Sequence, residues 1–160
     1  MSSSDVPMPG FAWKILAALG VVDLIRGVMH TYLSAYAATN IAGLDLSQNG
    51  QNLLVLMGAF GISNFLTGAI FLLVAVKARP LVPAVLGLIP LAYVVGLIGV
   101  RLNASPQAAF PGRYMMVVYL LVCVGTYAAC QISARKHRRN AAPRAGTDDF
   151  PASTRDVKYP

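Results

Sequence analysis

Four apolar stretches, each about twenty residues or longer and separated by short polar connectors, leave this chain little choice of surroundings. A bilayer core needs ~20 mostly apolar residues per crossing helix. Backbone polar groups in lipid must also be satisfied within the segment, which favours helices. The stretches lie at about 11–38, 53–76, 81–102 and 114–132. The predicted fold class is therefore all-α, a polytopic membrane protein whose residues 11–134 form a four-helix transmembrane bundle. A polar, proline-bearing arm at 1–10 and a basic tail at 135–160 both read as disordered. Composition agrees: charged residues make up 12% of the chain, and glutamate is absent. A soluble domain carries about 25% charged residues.

At 1.5 Å per residue the first span would be ~42 Å long, so it must tilt or project from the hydrocarbon. Trp13 and Lys14 anchor one end at the interface, and Tyr32 and Tyr36 the other. Ala35-Tyr36-Ala37 has the look of a signal-peptidase site, but Asp23 and Arg26 interrupt the apolar run such a site requires, so no cleavage is expected. The connector after it has a turn signal at Asn49-Gly50. The third span contains Pro83 and Pro90; Pro90 frees the carbonyl of Leu86 and predicts a kink.

Charge sets the expected orientation. Lys14, Lys77, Arg79, Arg135, Lys136, Arg138 and Arg139 flank the membrane on one side, against Arg101 and Arg113 on the other. By the positive-inside rule both termini are cytoplasmic. The basic run after the fourth span then reads as a topology signal and an anionic-lipid contact. No aromatic-rich or glycine-rich recognition module accompanies it, so nucleic acid is not an expected partner.

Asp23, Arg26 and His30 stand inside the first span, on one helical stripe. An Asp or Arg at a span's centre costs ~2.5–3.5 kcal/mol, so the pair represents roughly 5–7 kcal/mol that the protein must compensate. Arg26 is three residues from Asp23 and four from His30, within reach of either. Counting rises along each span brings Asn64, Tyr93 and Cys123 to the depth of Asp23. His30 lies about 10 Å further out, near Tyr119. Arg101, at the outer end of the third span, can snorkel. These residues define a candidate pocket. Its acid–base candidates are Asp23 and His30, with Tyr93 and Tyr119 orienting a substrate; Arg26, Asn64, Arg101 and Cys123 are the binding candidates.

Each of these residues also has a plainer role. Asp23 and Arg26 can be an ion pair that fixes helix packing. Gly61, Asn64 and Gly68 share a small-residue face suited to close helix contact. Tyr119, Cys123, Thr126 and Cys130 fall at the spacing of a packing face, and Ser63 and Thr67 are expected to bond their own backbone carbonyls.

Several chemistries are excluded. A single intramembrane histidine rules out a bis-histidine haem within one chain. Cys123 and Cys130 are ~10 Å apart along a helix, too far for a disulfide. The sequence has no CxxC, HExxH, P-loop, dinucleotide fingerprint or serine-nucleophile motif, and no metal or cofactor is expected. The expected function is binding of a hydrophobic small molecule or lipid, or service as an accessory or homo-oligomeric membrane subunit. A cofactor-independent enzyme of isomerase, cyclase or epoxide hydrolase type, acting on a lipid or terpenoid-like substrate through Asp23 and His30, is the alternative. Proton or ion conduction ranks last, because Arg26 obstructs the stripe and no second acid continues it.

Overall fold

A computed structural model describes residues 9–103 and 112–141. Most of the expected N-terminal arm, the connector bearing Pro106 and Pro111, and the tail from residue 142 lie outside the described residues. Within them the regular structure is entirely helical: α1 (Ala12–Thr31), the single turn α2 (Ser34–Tyr36), a π-helical stretch (Ala37–Ile41), α3 (Gly50–Lys77), a 3-10 turn (Arg79–Leu81), α4 (Val82–Asn103) and α5 (Gly112–Ala141).

Three helical segments are long and apolar enough to cross a membrane: Gly50–Lys77, Arg79–Asn103 and Tyr114–Asn140. The remaining expected span, α1, is a 20-residue helix carrying Lys14, Asp23 and Arg26. It is shorter than the continuous run expected over 11–38. The helix stops at Thr31, and Leu33 leaves helical geometry (φ −116°, ψ 31°) before the chain turns through α2 and the π-helical stretch. Twenty residues already measure ~30 Å, so a longer continuous helix is not needed to match a hydrocarbon core. At the other end of the chain α5 continues through the basic run to Ala141, so residues 135–141 extend the helix rather than beginning a tail. Pro90 lies inside α4, which stays helical on both sides of it.

Local chemistry explains the ends. Asn49, before the first turn of α3, adopts the left-handed conformation (φ 57°) that asparagine tolerates. In the connector, Asp45 accepts hydrogen bonds from the backbone N–H and the hydroxyl of Ser47, both at 2.8 Å. The backbone N–H foremost holds its carboxyl below the usual carboxylate range. Between α3 and α4, the Arg79 guanidinium stacks 4.5 Å from the centre of the Trp13 ring and ties the start of α1 to that turn.

The two closest helices are α1 and α3, which run antiparallel. Gly20 and Gly68 each face the other's carbonyl oxygen, and Gly61 faces the Gly27 carbonyl oxygen beside the Thr31 hydroxyl, with the Phe65 ring packed on Gly27. In both helices the glycines are seven residues apart, so they return to the same face after two turns. Ser63 and Thr67 bond the carbonyls of Ala59 and Ser63, as expected for hydroxyls on a membrane helix.

The dry core is confined to one half of the fold. It joins Leu16 and Leu19 of α1 with Phe71 and Val74 of α3, Leu86 and Ile89 of α4, and Cys123 and Cys130 of α5. Past Tyr93 the rest of α4 is exposed among the described residues, as are residues 114–118 of α5. α1 is built with its polarity reversed from that of a water-facing helix. Asp23 is 4% exposed, whereas Val21, Ile25 and Val28 face outward.

Candidate polar site at the α1–α3–α5 junction

Asp23 is placed by the middle of α1 at the end of the dry core, where its carboxylate has two partners. The Tyr119 hydroxyl, from α5, donates to Oδ2 at 3.0 Å in a buried contact. One Nη of Arg26 reaches Oδ1 at 3.5 Å, a long ion pair formed by the i,i+3 spacing on α1. That distance is at the limit for a hydrogen bond, so the tyrosine makes the better-formed contact. Behind Tyr119 stands the Tyr93 ring, with centroids 6.1 Å apart and planes inclined by 27°. Offset aromatic pairs of this kind add ~0.5–1.5 kcal/mol beyond the area they bury. Tyr93 thus steadies the phenol that holds Asp23.

About two turns beyond Asp23 along α1, His30 makes a separate contact across the glycine seam. Its Nδ1 lies 3.1 Å from Nδ2 of Asn64 on α3. The close approach at Gly27 and Gly61 brings these two short-armed side chains within reach.

A cavity of about 310 Å³ opens beside the carboxylate. Its polar walls are Asp23, Arg26, Asn64, Thr67, Tyr93 and Tyr119. The rest is apolar and comes from Phe71 on α3 and from Val85, Leu88, Ile89 and Ala92 on α4. His30 is not part of this cavity but lines its neighbour, with Arg26 and Tyr119 shared between the two.

The sequence-derived candidates therefore divide. Asp23, Arg26, Asn64, Tyr93 and Tyr119 come together around one space. His30 contacts Asn64 and lines the adjoining cavity with Arg26 and Tyr119 rather than the space beside Asp23. Cys123 is fully buried in the apolar core one turn below Tyr119, and does not line the cavity. Arg101 is exposed near the end of α4 and touches neither cavity. Depth counting put Cys123 level with Asp23 and Tyr119 level with His30. The contact to Asp23 is instead made by Tyr119. Counting rises fixes depth to about one turn, ~5.4 Å, and a phenol arm covers that difference where a thiol does not.

Other parts were missed. Gly20, the partner of Gly68, is signalled by its seven-residue spacing from Gly27, matching Gly61 and Gly68. Thr67, read from sequence only as a hydroxyl bonding its own backbone, also lines the cavity, and Phe71 and Ala92 carry no mark that distinguishes them from other residues of their helices. Among the described residues no three His, Cys, Asp or Glu side chains converge as metal ligands. Chemically, the site is a carboxylate held by a phenol and, more loosely, by a guanidinium, beside a largely apolar space of small-molecule size. Comparisons with protein-family models, with curated proteins and with solved structures find no match for the chain.

Proposed function

We propose that this chain is a four-span integral membrane protein that binds a hydrophobic small molecule or lipid in the cavity beside Asp23. The observation that carries this reading is the cavity itself, about 310 Å³, with one apolar wall from Phe71 and α4 and a polar wall where Tyr119 and Arg26 hold the carboxylate beside Asn64, Thr67 and Tyr93. Ligand sites of ~300–1,000 Å³ characteristically combine apolar walls with a few fixed polar groups. The inverted polarity of α1, with its aspartate inside and valines outside, supports its role as the fourth span. The positive-inside charge balance supports cytoplasmic termini and contact of Arg135, Lys136, Arg138 and Arg139 with anionic lipid.

The test is to purify the protein in a neutral detergent, extract it with organic solvent and identify co-purified lipids and small molecules by mass spectrometry. Ala92→Phe, which fills the cavity from α4, is expected to lose the bound species while melting like wild type. Equal recovery from both proteins, or no species from wild type, would sink the proposal.

The Tyr119–Asp23 contact favours a second reading, a cofactor-independent proton-transfer enzyme of isomerase, cyclase or epoxide hydrolase type. Asp23 and Tyr119 open onto the same space, so the phenol rather than His30 is the carboxylate's natural acid–base partner. In this reading Asp23→Asn abolishes turnover of the extracted molecule while still binding it; unchanged turnover counts against it. The small-residue face of α3, which suggests partner helices in the sequence, is used by α1 of the same chain. Conduction gains nothing from the geometry, because Arg26 and Tyr119 stand between the cavities of Asp23 and His30.

A further inference from the structure

A second cavity, of about 400 Å³, adjoins the first across Arg26 and Tyr119. It is enclosed by the outer part of α1, the π-helical stretch, Met57 of α3 and the start of α5. Its polar lining is one-sided: Arg26, His30 and Tyr119 contribute, and no carboxylate does among the described residues. With Asn64 Nδ2 donating to His30 Nδ1, the ring hydrogen sits on Nε2, so the imidazole can still donate elsewhere. Tyr119 commits its hydrogen to Asp23. Arg26 has one long contact, to Asp23, and its other N–H groups have no partner among the described residues. The remaining wall is apolar and includes Met29, Met57, Met115 and Met116, whose unbranched thioether chains adapt to irregular apolar shapes.

We propose that this second cavity takes an amphiphile with an oxyanion head, carboxylate or phosphate, seated at Arg26 and His30 with its tail along the methionine wall. The proposal rests on the reading of the chain as a lipid-binding membrane protein and specifies which lipids it selects. A guanidinium in apolar surroundings gains most from an anionic acceptor, which forms shorter and stronger hydrogen bonds than a neutral oxygen. A cationic head would meet Arg26 with no carboxylate in the lining to offset it.

The experiment titrates the full-length protein in maltoside micelles with oleic acid, oleoyl lysophosphatidate and oleyl alcohol, and follows each complex by native mass spectrometry. At least one of the two anions is expected to bind about tenfold or more tighter than the alcohol. The stronger of the two identifies the head as carboxylate or phosphate. Arg26→Gln should remove that preference, weakening the anions far more than the alcohol, whereas Arg26→Lys should keep part of it. Met116→Trp should weaken all three by blocking the tail. Equal affinity of wild type for anions and alcohol overturns the head-group assignment while leaving lipid binding intact. Binding of none of the three overturns both. The wild-type comparison decides the proposal even if Arg26→Gln fails to fold.

Discussion

The seam between α1 and α3 predicts opposite fates for two glycines on the same helix. A methyl group placed on Gly68 would meet the Gly20 carbonyl oxygen at 2.7 Å, against ordinary contact from 3.4 Å outward. The obstacle is backbone, so relief requires the helices to separate by about 0.7 Å, the difference between those distances. Overpacking of this kind costs ~1–3 kcal/mol. Gly58, ten residues earlier on α3, has nothing within 4 Å of such a methyl group. There the substitution brings only the helix preference of alanine over glycine, worth up to ~1 kcal/mol. That preference applies equally at both sites and cancels in the comparison. Gly68→Ala should therefore be less stable than Gly58→Ala by about 1–3 kcal/mol. For a chain of this size that difference is roughly 2–12 °C in Tm. The buried thiols of Cys123 and Cys130 supply the readout, since a thiol-reactive fluorogenic dye reports their exposure on heating in detergent. Gly61→Ala should fall between the two: the nearest obstacle is the rotatable Thr31 hydroxyl, but the Gly27 carbonyl oxygen is only 3.0 Å away. If Gly68→Ala and Gly58→Ala melt together, α1 and α3 do not meet at this seam, and the account of how Asn64 reaches His30 falls with it.

Three other outcomes follow from the same geometry. Tyr119→Phe should destabilise the protein by about 1–3 kcal/mol by removing the donor to a buried carboxylate. A double-mutant cycle with Asp23→Asn should show ~0.5–3 kcal/mol of coupling, and strict additivity would mean the contact is not made. Trp13 is the only tryptophan, so Arg79→Gln should change its fluorescence and acrylamide quenching, whereas Arg101→Gln should not. Equal effects of the two would remove the Trp13–Arg79 stack. In a background with Cys123 and Cys130 replaced by serine, Ser47→Cys should react with an impermeant maleimide on intact cells, and Lys77→Cys only after lysis; the reverse pattern would invert the proposed orientation.

The parts of this fold that the sequence reveals are those encoded by local periodicity. Length and apolarity mark Gly50–Lys77, Arg79–Asn103 and Tyr114–Asn140 as membrane-crossing candidates. The pairing of Asp23 with Arg26 needs only the i,i+3 spacing of one helix. Relations between helices are harder, because they depend on rotation and axial offset, which no single segment encodes. Asn64 could be assigned to the neighbourhood of α1 because its flanking glycines mark the contact face. Tyr119 and Cys123 are one turn apart on one face of α5, and nothing in their spacing says which one meets Asp23. The end of α1 at Thr31 is equally obscure, since the following residues remain apolar enough to continue a span. The methionines of the second cavity show the limit most plainly. They come from α1, α3 and α5, and only tertiary structure brings them to one wall.

The position of the polar cluster follows from where the packing ends. Toward Trp13 and Arg79, helices α1, α3, α4 and α5 contribute to one apolar core, and burying a charge there would leave it surrounded by aliphatic carbon. At the opposite end, residues 114–118 of α5 and the last ten residues of α4 are exposed, so they do not bury a side chain as Asp23 is buried. Asp23 stands between these regimes, where α5 is still close enough for Tyr119 to reach it and α4 still brings Tyr93 behind the phenol. The same boundary leaves room for the cavities, because side chains there no longer interdigitate across all four helices. The buried charge and the cavities beside it are therefore consequences of one structural fact. Tyr119 and Arg26 each line both cavities and each contact the Asp23 carboxylate, so the two spaces meet at the same pair of side chains.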